Sequence, residues 1–294
     1  MAFGFLALTG CTFHRAPLGS AKNPIKLFFV PSVDSKLISD KSRVIKKMLE
    51  KLTPYKYHVA IPASYIAVIE AFGTKRADVA SLNTFGYILA NEKYGVQARL
   101  TVIRYGLSTY NGAFFARADG PVKKLSDITG KKFAFVDPAS TSGYLLPEKL
   151  FKQDHIKPAE TVFAESHNNV ISMVYQRQVD AGVAFYSPPE KGQIEDARRL
   201  VLKQYPDVAK KIKIIGYTDS IPNDPIVFRK GLPEKMKEQI TNAFLEIVKD
   251  PKGRNALQSM YGVTAFKKCT DADYDNVRQM LKNLGQSAEN LMKK

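Results

Sequence analysis

The feature that most constrains this chain is an alternation of short apolar strands with amphipathic helices, run through twice. Ile25-Lys26-Leu27-Phe28-Phe29-Val30 is an apolar run stopped by Pro31, and residues 42–52 carry Val44, Ile45, Met48, Leu49 and Leu52 at helical spacing. Strand signals follow at 57–61 and 77–82, with helical ones at 64–72 and 84–94. After two longer strands at 100–105 and 112–117 the rhythm restarts: strands at 132–136, 161–164 and 181–185, helices at 142–152 and 168–177. Each βαβ step needs a helix crossing a sheet, so the pattern predicts two α/β lobes, each a mainly parallel sheet flanked by helices. A length of 294 residues suits two units at ~100–200 residues each. Two amphipathic helices close the chain, at 233–249 and 271–284. The chain crosses between lobes near 108–112 and 216–225, which predicts one lobe from 24–110 with 222–294 and a second from 111–221.

Charge narrows the partners. Lys and Arg number 44 against 28 Asp and Glu, a net +16, yet the cations come as scattered pairs such as Lys46-Lys47, Lys131-Lys132 and Arg198-Arg199, with acids between them. A nucleic-acid reader concentrates charge on one element and carries a recognisable motif, and neither is present. Solubility and a general pull on anionic ligands account for the surplus. No apolar run approaches the ~20 residues needed to span a bilayer.

The two cysteines are too few for a disulfide framework and too far apart for a metal knuckle. Cys11 follows the apolar stretch 2–7 and Leu8-Thr9-Gly10, a pattern that looks like a bacterial lipoprotein signal: small residues give a peptidase access to the backbone, and the thiol carries the lipid. No Lys or Arg lies between Met1 and Cys11, so the signal lacks its charged part. On this reading residues 1–10 are removed, Cys11 is acylated, and 12–23 form a flexible tether. The alternative is an ordinary apolar N-terminus with Cys11 free or bridged to Cys269.

Two lobes joined by crossing strands leave a cleft at the carboxyl ends of their sheets, a favoured ligand site. Asp137-Pro138-Ala139-Ser140-Thr141-Ser142-Gly143-Tyr144 ends a strand and opens a helix there. The first N–H groups of a helix lack intrahelical partners and the dipole favours negative charge, so hydroxyls beside them make an anion site. Plain N-capping would explain one hydroxyl but not the run of Ser140, Thr141 and Ser142 before a glycine. The phosphate-cradling Gly-x-x-x-x-Gly-Lys-Ser/Thr and the Gly-x-Ser-x-Gly nucleophile elbow are both absent.

In order and spacing, these residues resemble the substrate-binding proteins of phosphate, phosphite and phosphonate ABC transporters, the phosphonate-binding periplasmic protein family. The pieces that carry the likeness are Leu27-Phe28-Phe29-Val30-Pro31, the helix 64–72 with Ala77-Asp78-Val79-Ala80, Asn83-Thr84-Phe85-Gly86-Tyr87, residues 126–134, the serine turn, His167, Val179-Asp180-Ala181-Gly182 and Ile221-Pro222-Asn223-Asp224-Pro225. The resemblance implies a two-lobe periplasmic-binding-protein fold of the type 2 kind, with hinge strands between the lobes. It implies that Ser140, Thr141 and Ser142 hold the phosphorus-bound oxygens, that His167 donates to them, and that Tyr65 and the helix start with Asn83, Thr84 and Tyr87 face them from the other lobe. From the residues alone, His167 could equally be a surface or capping residue, and the tyrosines could be core. Asp224 matches an acid that in aminoalkylphosphonate binders faces the ligand's amine. The expected second carboxylate is missing from Phe185-Tyr186-Ser187-Pro188-Pro189, which leaves phosphate, phosphite or a small alkylphosphonate.

The implied mechanism is capture by closure, with neutral donors gripping a tetrahedral oxyanion and the closed form presented to a permease and its ATPase. The expected protein is a bacterial, extracytoplasmic, membrane-anchored monomer needing no cofactor or metal and performing no chemistry. The competing class is a phosphate-ester hydrolase with Ser142 or Ser140 as nucleophile and His167 as base, for which no third, orienting residue can be named.

Overall fold

A computed structural model describes residues 16–283. In chain order the elements are β1 (Ile25–Phe29), α1 (Ser35–Leu52), β2 (Tyr57–Ala60), α2 (Tyr65–Gly73), β3 (Val79–Ser81), α3 (Thr84–Tyr94), β4 (Gln97–Arg104), β5 (Thr109–Arg117) and β6 (Lys132–Phe135). They continue with α4 (Leu146–Gln153), β7 (Glu160–Phe163), α5 (His167–Tyr175), β8 (Ala181–Tyr186), α6 (Val208–Lys211), β9 (Ile212–Tyr217), β10 (Ile221–Pro222) and β11 (Pro225–Phe228). Last come α7 (Glu234–Ile247), α8 (Pro251–Tyr261), β12 (Val263–Lys268) and α9 (Asp275–Asn283).

The strands form two sheets, β12-β4-β11-β3-β1-β2 and β10-β5-β8-β6-β7 with β9 also paired to β5. The first takes its strands from both ends of the chain and the second from the middle, so β4 to β5 and β10 to β11 are the crossings between them. The two-lobe α/β architecture is the one the alternation predicts, but the sheets are mixed. Only β1–β2, β1–β3, β6–β7 and β6–β8 are parallel; every other pairing is antiparallel. Crossing causes this, because a chain that leaves one lobe and returns re-enters each sheet running the other way.

The same device opens both parallel cores. An aspartate at the end of a helix–strand turn accepts the backbone N–H that starts the neighbouring strand: Asp78 from Lys26 at 3.0 Å and Asp180 from Lys132 at 2.9 Å. In the first lobe that carboxylate is buried and also pairs with Arg229 at 2.9 Å, because a buried charge needs a partner.

Local chemistry explains where the sequence signal fell short. Helix α1 starts at Ser35 instead of 42, since Asp34 caps it by accepting the Leu37 N–H at 2.8 Å. Helix α8 and strand β12 lie between the two predicted closing helices, where Asp250-Pro251 starts the helix and Gly262, at φ 69, ends it. Residues 16–23 are not a free tether: Gly19 N–H donates to Asn23 O at 2.7 Å, and Gly19 O accepts Lys56 N–H at 2.7 Å, so this turn is docked on the first lobe. Cys11 and the rest of 1–15 lie outside the described residues.

Candidate functional site

The serine turn is built to leave donors unused. Strand β6 ends at Phe135, and the Asp137 carboxylate accepts Ala139 N–H at 2.8 Å. Ser140 Oγ accepts Gly143 N–H at 3.1 Å, and Ser140 O accepts both Tyr144 N–H at 3.1 Å and Leu145 N–H at 3.0 Å. The second of these carbonyl bonds spans five residues, a π-turn of the kind that recurs at functional sites. Ser140 thus satisfies the later amides of the turn, while those of Thr141 and Ser142 have no acceptor among the described residues. Strand β5 backs this turn so closely that a Cβ on Gly112 would lie 2.5 Å from Ser142 O, so only glycine fits there.

His167 opens α5, and its N–H donates to Ser32 O of the first lobe at 3.0 Å. Its Nδ1 accepts the Phe185 N–H at 3.1 Å, which leaves the ring hydrogen on Nε2. Burial, helped by the positive Arg104, pushes the imidazole pKa down to about 3, so this side chain is a neutral donor.

Between the lobes lies an enclosed cavity of about 50 Å³. The second lobe lines it with Tyr110, Ser140, Ser142, His167 and Phe185; the first contributes Tyr65, Asn83, Arg104 and Asp224, with Ser32, Ser81, Tyr261 and an apolar wall of Val30, Val33, Leu82 and Met260. Tyr65 is 1% exposed and its hydroxyl has no partner among the described residues, whereas a buried hydroxyl ordinarily finds one. Burial holds its phenol pKa well above the ordinary value, so it too is a neutral donor.

Six of the residues singled out from sequence therefore meet at one cavity: Ser140, Ser142, His167, Tyr65, Asn83 and Asp224. Three do not line it. Thr141 turns its hydroxyl to the first lobe, where it accepts Asn83 Nδ2–H at 3.1 Å and Phe85 N–H at 3.0 Å; Asn83 Nδ2 also donates to Ala139 O at 2.8 Å. These bonds strap the lobes together. Thr84 donates its hydroxyl to Pro222 O at 2.7 Å, tying α3 to a crossing strand. Tyr87 is packed edge-on against Tyr274 at 4.8 Å with its hydroxyl bonded to Asp271, on the far side of α3. A helix start presents only part of its circumference to a cleft, and positions 84 and 87 fall on the other side of it.

Sequence reasoning missed several residues of the lining, among them Ser32, Ser81, Tyr110, Tyr261 and, most consequentially, Arg104. It is 8% exposed, donates Nη1–H to Asn223 Oδ1 and Nε–H to Tyr261 O, both at 2.8 Å, bonds Asp224 through Nη2, and lies 5.0 Å from the Tyr110 ring centroid. A signal existed: β4 alternates strictly, with Ala98, Leu100, Val102 and then Arg104 on its inward phase. A cation in the buried phase of a strand calls for a specific partner.

An enclosed cavity between two hinged lobes, lined by neutral donors and one fixed ion pair, defines a protein that captures a small anionic ligand. The chain belongs to the family of periplasmic substrate-binding proteins of phosphonate ABC transporters, whose family model matches residues 27–274. It is 27% identical over 241 residues to the phosphonates-binding periplasmic protein of Escherichia coli K12, covering 79% of this chain and 68% of that one. It is 26% identical over 281 residues to a phosphate-import protein PhnD of Mycolicibacterium smegmatis, covering 87% and 84%. Its fold matches that of PhnD1 from Prochlorococcus marinus in complex with methylphosphonate, with a TM-score of 0.75, 17% identity and coverage of 90% of this chain and 98% of that one.

Proposed function

We propose that this protein is the extracytoplasmic substrate-binding component of an ABC importer and that it captures a phosphorus oxyanion in the interlobe cavity by hinge closure. The observation that carries this reading is the convergence of neutral donors on one interlobe space: the Ser142 amide and the Tyr65 hydroxyl, unpaired among the described residues, with the Ser142 and His167 side chains beside them. Hydrogen bonds to a charged acceptor contribute roughly 1.5–3 kcal/mol each, so a handful offsets anion desolvation without a dedicated Lys or Arg. The relatives named for phosphonates and for phosphate import support the ligand class.

Closure is cooperative with binding. The straps from Asn83 and Phe85 to the serine turn and from His167 N–H to Ser32 O form only when the lobes meet. A ligand bridging both walls makes contacts in the closed state that the open state lacks, and that difference shifts the population. The closed form is the surface offered to the permease and its ATPase. Acylation of Cys11 tethers a monomer to the membrane in this reading.

Catalysis is disfavoured by the histidine itself. Its Nδ1 is occupied by Phe185 N–H, its Nε2 carries the hydrogen, and its pKa of about 3 makes it too weak a base to deprotonate Ser142. Calorimetry with phosphate, phosphite and methylphosphonate, run beside a p-nitrophenyl phosphate turnover assay, tests the whole reading. Saturable one-site binding of at least one oxyanion without turnover is expected. Turnover that disappears in Ser142→Ala, or no binding of any of the three, would overturn it.

A further inference from the structure

We propose that Arg104 sets ligand selectivity: it occupies the place beside Asp224 that a ligand ammonium would need, and so restricts the site to oxyanions with no cationic substituent. This rests on the cavity being a phosphorus-oxyanion site.

The Asp224 carboxylate already carries a counter-ion where an amine would have to sit. One oxygen accepts from Arg104 Nη2; the other lies 3.4 Å from the Thr84 hydroxyl, whose hydrogen goes to Pro222 O at 2.7 Å. Arg104 cannot swing aside readily, because Nη1 and Nε are held by Asn223 Oδ1 and Tyr261 O, and the guanidinium carbon lies 5.0 Å from the Tyr110 ring centroid. That stacking uses the aromatic face on which an ammonium could otherwise rest. The Glu195 carboxylate is engaged elsewhere: it accepts from the Tyr105 hydroxyl and lies 3.8 Å from Arg199 Nε. An arriving ammonium would meet a fixed positive charge, and the carboxylate that lines the cavity is already paired with it.

The positive charge of Arg104 further favours an anion over a zwitterion of the same headgroup.

Calorimetry of the full chain with methylphosphonate and 2-aminoethylphosphonate tests the proposal. The wild type should bind methylphosphonate about 100-fold or more tighter, as expected for a like-charge clash. Equal or tighter binding of 2-aminoethylphosphonate would overturn the role of Arg104 and leave the oxyanion reading standing; binding of neither, nor of phosphate or phosphite, would take both down. Arg104→Met frees Asp224 and should narrow the ratio about 10-fold or more in favour of the amine, and an unchanged ratio counts against the proposal. Should that variant fail to fold, Asp224→Asn leaves the guanidinium without its counter-ion and should widen the ratio about 10-fold; a narrowed or unchanged ratio refutes it.

Discussion

The two walls of the cavity are built on opposite principles. The wall from the second lobe is neutral: a π-turn that consumes its own later amides through Ser140, and a histidine kept uncharged by burial. The facing wall holds a full ion pair, Arg104 with Asp224, pinned by Asn223, Tyr261 O and Tyr110. Neutral donors are cheap to desolvate and grip any oxyanion of the right shape. A buried pair is indifferent to shape but unforgiving of stray charge, since losing one partner strands the other. The contrast assigns grip to one lobe and discrimination to the other.

Breaking the charged wall should have the largest effect. Arg104→Met leaves the half-buried Asp224 without its counter-ion, and urea denaturation of the ligand-free protein should show a loss of about 1–3 kcal/mol. Adding Asp224→Asn should recover most of it. A single variant as stable as the wild type would mean that the pair is solvated and the contrast between walls is false. Next comes the neutral wall. Gly112→Ala places a methyl 2.5 Å from the Ser142 carbonyl oxygen, a backbone atom with little freedom to yield, and displaces the turn that carries the open amides. Calorimetry should show about a 100-fold weaker ligand, ~2.7 kcal/mol. Affinity within twofold of the wild type would show that the turn is not what grips.

The neutral wall was more legible in the sequence than the charged one, for a physical reason. Ser140 to Gly143 are contiguous, so the chemistry of a helix start is written in a single stretch. The ion pair joins residues that lie far apart in the chain, and only the crossing of β4 beside β11 brings Arg104 to Asp224. Asp224 by itself reads as turn chemistry, and Arg104 as one cation among many, until the strict alternation of β4 is taken seriously. The architecture was legible because strand and helix periods are local. The antiparallel returns were not, because pairing direction depends on how the chain crosses between lobes. Thr141 shows a third limit: a hydroxyl in an anion-binding run was equally free to strap the lobes, and the choice depends on Asn83 and Phe85 from the opposite side.

A smaller effect concerns protonation. His167 has a folded pKa of about 3 against an ordinary value near 6.5, so the folded closed state refuses a proton that the unfolded chain accepts. Its contribution to stability is therefore whole above pH ~6.5 and falls by about 1.4 kcal/mol per pH unit as pH drops from there toward the folded value. Imidazole NMR of ligand-saturated protein should find the His167 resonances unchanged from neutral pH down to about 4.5. A midpoint near 6.5 would make His167 a cationic contact and turn both walls into charged ones.

Tyr87 stands at the lower end of the scale. It belongs to the same helix as Asn83, yet its ring is fully buried against Tyr274 and its hydroxyl bonds Asp271, whose carboxylate also accepts the Ala98 N–H at 3.1 Å. Those contacts tie α3 to β4 and to the turn before α9, within the first lobe and outside the cavity. Tyr87→Phe keeps the ring and removes two hydrogen bonds, one donated to Asp271 and one accepted from Arg278 Nη2 at 3.3 Å, so stability should fall by about 1–2 kcal/mol while oxyanion affinity stays within twofold. Asp271 keeps its backbone donor, which limits the loss. A tenfold drop in affinity with unchanged stability would place the tyrosine at the ligand after all. It would also mean that α3 rotates about its axis on binding, so that the donors of the first lobe are assembled by the ligand instead of waiting for it.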